Sequence, residues 1–241
     1  MMNPKLLKTI LSCFLIFIGA VSVSAQEISR TENFTNFSGI SVSSGIDIYL
    51  TQSNAEKIVV KGTKDLMSRL KVSKSNDGMI KFEFEKDTNW GNWNFGKNNY
   101  VKAYVSFKTL NSMMASGGAD VYSEGDFKLN HLAIKSSGGS DIKLNLNVTD
   151  LKVMSSGGSD VYLRGKANQF SVQASGGSDV HAFDLMVDDL VVKMSGGSDG
   201  DFTAEKSVSI AASGASDVRY KGAATQKSIS ASGASDVKKV N

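Results

Sequence analysis

Cysteine and proline are nearly missing from this chain of 241 residues, which has one of each, Cys13 and Pro4. Beyond Cys13 there is no disulfide framework, no thiol nucleophile and no cysteine-based metal site. Beyond Pro4 the chain also lacks the commonest punctuation of linkers and domain boundaries. Histidine is almost as scarce. His131 and His181 stand at different positions of the repeat described below, so no zinc site is expected. Nor does the pattern supply the base that a nucleophilic serine would need.

Charge of one sign is also lacking. The chain has 27 basic and 24 acidic residues, and two of the basic ones, Lys5 and Lys8, flank an N-terminal apolar stretch from Ile10 to Val23. With Val23-Ser24-Ala25 as a small-residue cleavage site, residues 1–25 are expected to form a signal peptide. An uncleaved anchor, or a lipoprotein modified at Cys13, is the alternative. Removal of the leader leaves about 216 residues and a net charge of about +1, enough chain for one sizeable core. Such a balance offers no electrostatic footprint for nucleic acid, and no nucleic-acid partner is expected. The protein is expected to be exported to the periplasm, the outer-membrane surface or the medium, with no membrane span after cleavage.

What is abundant is repetition. The pentapeptide S-G-[GA]-[SA]-D begins at Ser116, Ser137, Ser156, Ser175, Ser195, Ser213 and Ser232. Its aspartates (Asp120, Asp141, Asp160, Asp179, Asp199, Asp217 and Asp236) fall 18 to 21 residues apart. A period near 20 marks a stacked solenoid.

Apolar residues recur at fixed offsets from each aspartate. Directly after it come Val121, Ile142, Val161, Val180, Val218 and Val237, broken only by Gly200. Two positions later come Leu144, Leu163, Ala182, Phe202 and Tyr220, with mostly polar residues between. A second alternating run precedes each pentapeptide, as in Leu151/Val153 and Phe170/Val172. Period 2 means strands with one buried face. Two short strands and two turns per repeat leave no room for a crossover helix. The expected fold is therefore all-β: a single right-handed parallel β-helix with about 20 residues per turn and about ten turns in all. Residues 26–241 form it, with 26–110 an irregular front half and 111–241 the regular repeats.

Stacking places the aspartates in a column. Each is expected to cap its corner by accepting N–H bonds from the Gly-Gly-Ser segment. Calcium held between turns is one alternative. A catalytic carboxylate pair is another, but near-identical sites do not offer the unlike environments that such a pair needs.

In the front half, Ser43-Ser44-Gly45-Ile46-Asp47 is a degenerate copy of the corner. Further strands are expected at Leu70 to Val72, Met79 to Phe84 and Val101 to Phe107. Between them an insertion at 87–100 concentrates Trp90, Trp93, Phe95 and Tyr100 among Asn and Gly. These rings form either a binding platform or a cap over the solenoid core.

The segment Gly45-Ile46-Asp47 with Ile48-Tyr49-Leu50-Thr51-Gln52, the later Val59-Val60-Lys61-Gly62 and the SGGSD corners together resemble the auto-transporter adhesin head, or GIN, domain family, over about residues 34–223. The family's name motif ends in Asn where this chain has Asp47. The resemblance implies a secreted β-helical domain of the bacterial envelope. Taken with the signal peptide and the lack of a differentiated catalytic constellation, it points to a non-enzymatic adhesin that binds a surface polysaccharide or a protein, and neither cofactor nor metal is expected. A polysaccharide-acting enzyme and an envelope protein that assembles with itself through its solenoid ends remain the alternatives.

Overall fold

The computed structural model describes residues 27–85 and 99–241. The expected signal peptide, Trp90, Trp93 and Phe95 lie outside the described residues. Strands β1 (Glu27–Glu32), β2 (Gly39–Ser43), β3 (Asp47–Gln52) and β4 (Lys57–Thr63) lead into a short helix, α1 (Lys64–Arg69). Then come β5 (Leu70–Lys74), β6 (Met79–Phe84), β7 (Val101–Phe107) and β8 (Ser112–Ser116). The repeats supply β9 (Val121–Ser137), β10 (Asp141–Gly157), β11 (Asp160–Gly176) and β12 (Asp179–Gly196). The chain finishes with β13 (Gly200–Ala212), β14 (Asp217–Lys221), β15 (Gln226–Ala231) and β16 (Asp236–Lys239).

The molecule is a β-solenoid of about 7 turns roughly 19 residues apart, with 71% strand and 3% helix. Parallel pairing matches each copy of the repeat to the next in register: Asp141 faces Asp160, Ile142 faces Val161 and Val153 faces Val172. Each long strand bends within itself. In β10, Ile142, Leu144, Leu146 and Val148 point inward, and then Thr149 and Asp150 are both exposed. That pair shifts the alternation by one, so Leu151, Val153 and Ser155 face the core from a second wall. Burying each Val, Leu or Ile side chain contributes roughly 1.5–3 kcal/mol. Because the inward positions repeat, that gain accrues turn by turn.

The front half differs from the expectation of about ten parallel turns. Strands β1 and β4, β4 and β7, and β5 and β6 pair antiparallel. Residues 58–60, 70–72, 79–84 and 101–107 lie in strands as anticipated, but a period-2 pattern reports a buried face and says nothing of strand direction. Helix α1 contributes Leu66 and Met67 to the core beside these strands.

The degenerate corner is a true turn of the solenoid. Ser44 and Gly45 donate their N–H groups to the carbonyls of Ser116 and Gly117 at 3.2 and 3.1 Å. Strand β2 pairs with β8, and β3 with β9. Asp47 and Asp120 are thus on adjacent turns although the chain between them contains β4 to β8. Strands β6 and β7 stack on the other edges of β2 and β3. The segment from Glu85 to Tyr100 therefore joins two strands of the kind that a short corner joins elsewhere.

Candidate functional site

Each corner sorts its two polar residues by what the interior tolerates. The fourth residue points inward: Ser140, Ser159, Ser178, Ser198 and Ser216 are fully buried. Each of these hydroxyls donates to the carbonyl of the serine that opens its own corner, at 3.0–3.1 Å. A small neutral hydroxyl satisfied in this way costs little to bury, whereas a carboxylate there would be desolvated. The cap of the corner is therefore the serine.

The aspartate faces outward and works between turns. Asp120, Asp179 and Asp199 accept the backbone N–H of the aspartate one turn on, Asp141, Asp199 and Asp217, at 3.1–3.2 Å. Stacking also sets like charges against one another. Partial burial, and then the charges of Asp141 and Asp179, push the Asp160 carboxyl above the usual range, and burial and Asp120 do the same to Asp47. A group whose folded pKa is raised prefers its proton in the folded state, so stability increases as pH falls from neutral through that raised pKa. Asp160→Asn is accordingly expected to raise Tm at pH 7 by on the order of 1–3 °C and to flatten the dependence on pH. Thermal denaturation across pH 4–8 measures it, and a lower Tm at pH 7 would overturn the assignment of repulsion to this column.

Two residues past each aspartate runs a second outward column that a row-by-row reading passes over. Tyr104, Tyr49 and Tyr122 stack with ring centroids 5.2 and 5.3 Å apart. The Lys143 ammonium lies 5.7 and 5.1 Å from the rings of Tyr122 and Tyr162, and Tyr162 stacks on His181 at 4.6 Å. His181 approaches Asp201, which takes two hydrogen bonds from the Arg219 guanidinium at 2.7 and 2.8 Å. Burial, followed by the charge of Asp120 and the bond to it, pushes the Tyr122 phenol strongly up. Tyr49, Tyr122 and Tyr162 each have a ring or ammonium neighbour on either side. The column stitches turns together.

On the other side of the serine-glycine ridge lies a groove of about 700 Å³. It runs along the solenoid axis past six successive turns, from Lys135 to Ser230, a length of about 24 Å at the strand spacing. Small side chains form much of its lining, including the corner serines Ser137, Ser156, Ser175 and Ser195.

Residues 36–224 match the family model described as "Putative auto-transporter adhesin, head GIN domain". The chain belongs to this family. Four solved structures share the fold of this GIN domain over nearly its whole described length. A putative adhesin from Bacteroides fragilis is 24% identical with a TM-score of 0.80, covering 90% of this chain and 98% of its own. A putative adhesin from Parabacteroides distasonis is 19% identical with a TM-score of 0.64, covering 90% and 98%. A putative lipid binding protein from the same species is 17% identical with a TM-score of 0.65, covering 89% and 97%. Among curated proteins none matches.

Of the aromatic residues singled out from the GIN-domain sequence, Tyr100 alone is described. Its hydroxyl bonds the Glu27 carboxylate, which raises its pKa, and the Lys102 ammonium lies 5.8 Å from its ring. Tyr100 thus ties the start of β7 to β1. Asp141, Asp160 and Asp179, like Asp217 and Asp236, lie opposite one another from turn to turn. But the cap expected of the corner aspartates is made by the serines, while Asp120, Asp179 and Asp199 bond the following turn. His131 and His181 pair with different aspartates, Asp150 and Asp201. No group of three His, Cys, Asp or Glu able to hold a metal occurs among the described residues. The groove was not anticipated. Its only sequence signal was the recurrence of small residues around each corner serine.

Proposed function

We propose that this GIN domain is a non-catalytic binding module of the bacterial envelope, an adhesin that holds an extended surface polymer without cleaving it. The observation that carries this reading is the groove past six turns, where each turn presents equivalent small residues along one line. Such a lattice suits a ligand that is itself extended and repetitive. The column of aspartates supports the same reading. Asp120, Asp179 and Asp199 make the same bond to the next turn, whereas acid–base catalysis needs two carboxyls in unlike surroundings. The family supports export to the envelope or beyond.

A glycan array and a polysaccharide-cleavage screen on the 26–241 protein test the proposal together. Retention of a polysaccharide with no release of new reducing ends is the expected result. Product release that disappears in Asp160→Asn or Asp179→Asn would overturn it in favour of an enzyme.

A further inference from the structure

The groove differs from the neighbouring aspartate face in the sign of its charge. Its wall carries Lys135 and Lys193, and no acidic residue lines it. The register runs Lys135, Met154, Gln173, Lys193 along one column, so the two ammonium groups stand three turns apart, about 14 Å at the strand spacing. Neither lysine has an ion-pair partner among the described residues, although four other Lys or Arg side chains of the repeats do: those of Lys143, Arg164, Lys206 and Arg219. Between the two ammonium groups, Met154 exposes 37% of its surface, an apolar patch on the same wall. Beneath it, the serines at 137, 156, 175 and 195 place a hydroxyl-bearing residue on every turn.

We propose that this groove is selective for an anionic polysaccharide, a chain bearing carboxylate or sulfate groups at intervals. The inference rests on the polymer-binding reading above and narrows it to one class of ligand. The division of labour follows from the residue types. Lys135 and Lys193 pair with anionic groups in two places along the chain, which rewards a polymer over a single sugar acid. Serine hydroxyls both donate to and accept from sugar hydroxyls. The thioether of Met154 packs under the C–H face of a sugar ring, and its flexibility accommodates rings of different substitution. On the far side of the ridge, the aspartate column repels the same polymer, so the ligand is confined to one face of the solenoid.

Affinities of the 26–241 protein for polygalacturonate, dextran sulfate and neutral dextran test the inference. The expected result is that both anionic polymers bind and that dextran does not. Binding should weaken as salt is raised. The double variant Lys135→Gln/Lys193→Gln should bind about tenfold or more weakly with unchanged circular dichroism and Tm. Lys238→Gln, an exposed lysine on the aspartate side, should bind as the parent does. A preference for carboxylate over sulfate polymers, or the reverse, would name the anionic group and leave the inference standing. Binding of dextran as strong as that of the anionic polymers, or full affinity in the double variant, would overturn the charge selectivity while leaving polymer binding in place. No retention of any polysaccharide, neutral or charged, would overturn both.

Discussion

Gly165→Ala is expected to lower Tm by about 10 °C, a loss of some 3–5 kcal/mol from replacing one hydrogen with a methyl group. Gly165 sits opposite Leu146 in the β10–β11 pair with φ at +110°. A Cβ there would fall 2.1 Å from the Leu146 carbonyl oxygen and 3.0 Å from its carbon. Both obstacles are backbone, held by the ladder on either side. The neighbouring turn cannot give way without breaking bonds that several residues share. Gly118→Ala is the control. Its φ is +74°, but nothing lies within 4 Å of the added atom, so only conformational strain of about 1–2 kcal/mol is expected. Calorimetry on both variants checks this, and equal shifts in Tm would show that close approach between turns is not what demands glycine at 165.

The second large effect concerns the one break in the apolar column that follows the aspartates. Where other turns have Val or Ile, β13 has Gly200, and two residues later it has the fully buried Phe202. The two are a matched pair. A Cβ on Gly200 would meet the Phe202 ring at 2.4 Å and the Met194 sulfur at 2.7 Å. Gly200→Val alone should therefore overpack the core at a cost of about 1–3 kcal/mol. Phe202→Leu alone should leave a void and cost a similar amount. Together they recreate the Val161/Leu163 arrangement of β11, and the double variant is expected to be more stable than the sum of the single losses by 1 kcal/mol or more. Urea denaturation of the four proteins closes the cycle. Strict additivity would mean that the glycine is there for some reason other than the ring.

The parallel stack was legible in the chain because each inward position repeats at a fixed offset from the aspartate, and the core is a sum of such columns. Strand direction was not. Ile58 to Val60 alternate in the same way whether β4 runs with β7 or against it. The roles of Ser and Asp at the corner were also hidden, since both residues bond backbone groups near glycine. Only burial tells them apart, and it places the hydroxyl inside. The tyrosine ladder went unread for a different reason. Within any one turn Tyr122, Lys143 or His181 is simply an outward residue, and the relation that matters runs between turns. The groove is legible only in the same direction, down the columns at Lys135 and Ser137. Function in a solenoid is written along the axis, perpendicular to the order in which the chain is read.

The adjacency of Asp47 and Asp120 bears on the order of events as the chain folds. From β10 onward each turn can pair with one that precedes it by about 19 residues, so closure is local and cheap. The turn formed by β2 and β3 has no neighbour so close in the chain, since on one edge Gly39 pairs with Met79 and Asp47 with Lys102. Its partners β8 and β9 emerge only after the antiparallel strands and α1 between them. Until then the turn that carries Ile40, Val42, Ile48 and Leu50, all of which end buried, has partner strands on one edge only. The first turn of the solenoid is thus completed across the longest chain separations among the described strand pairs, and its open edge is where mispairing is expected until β8 and β9 arrive.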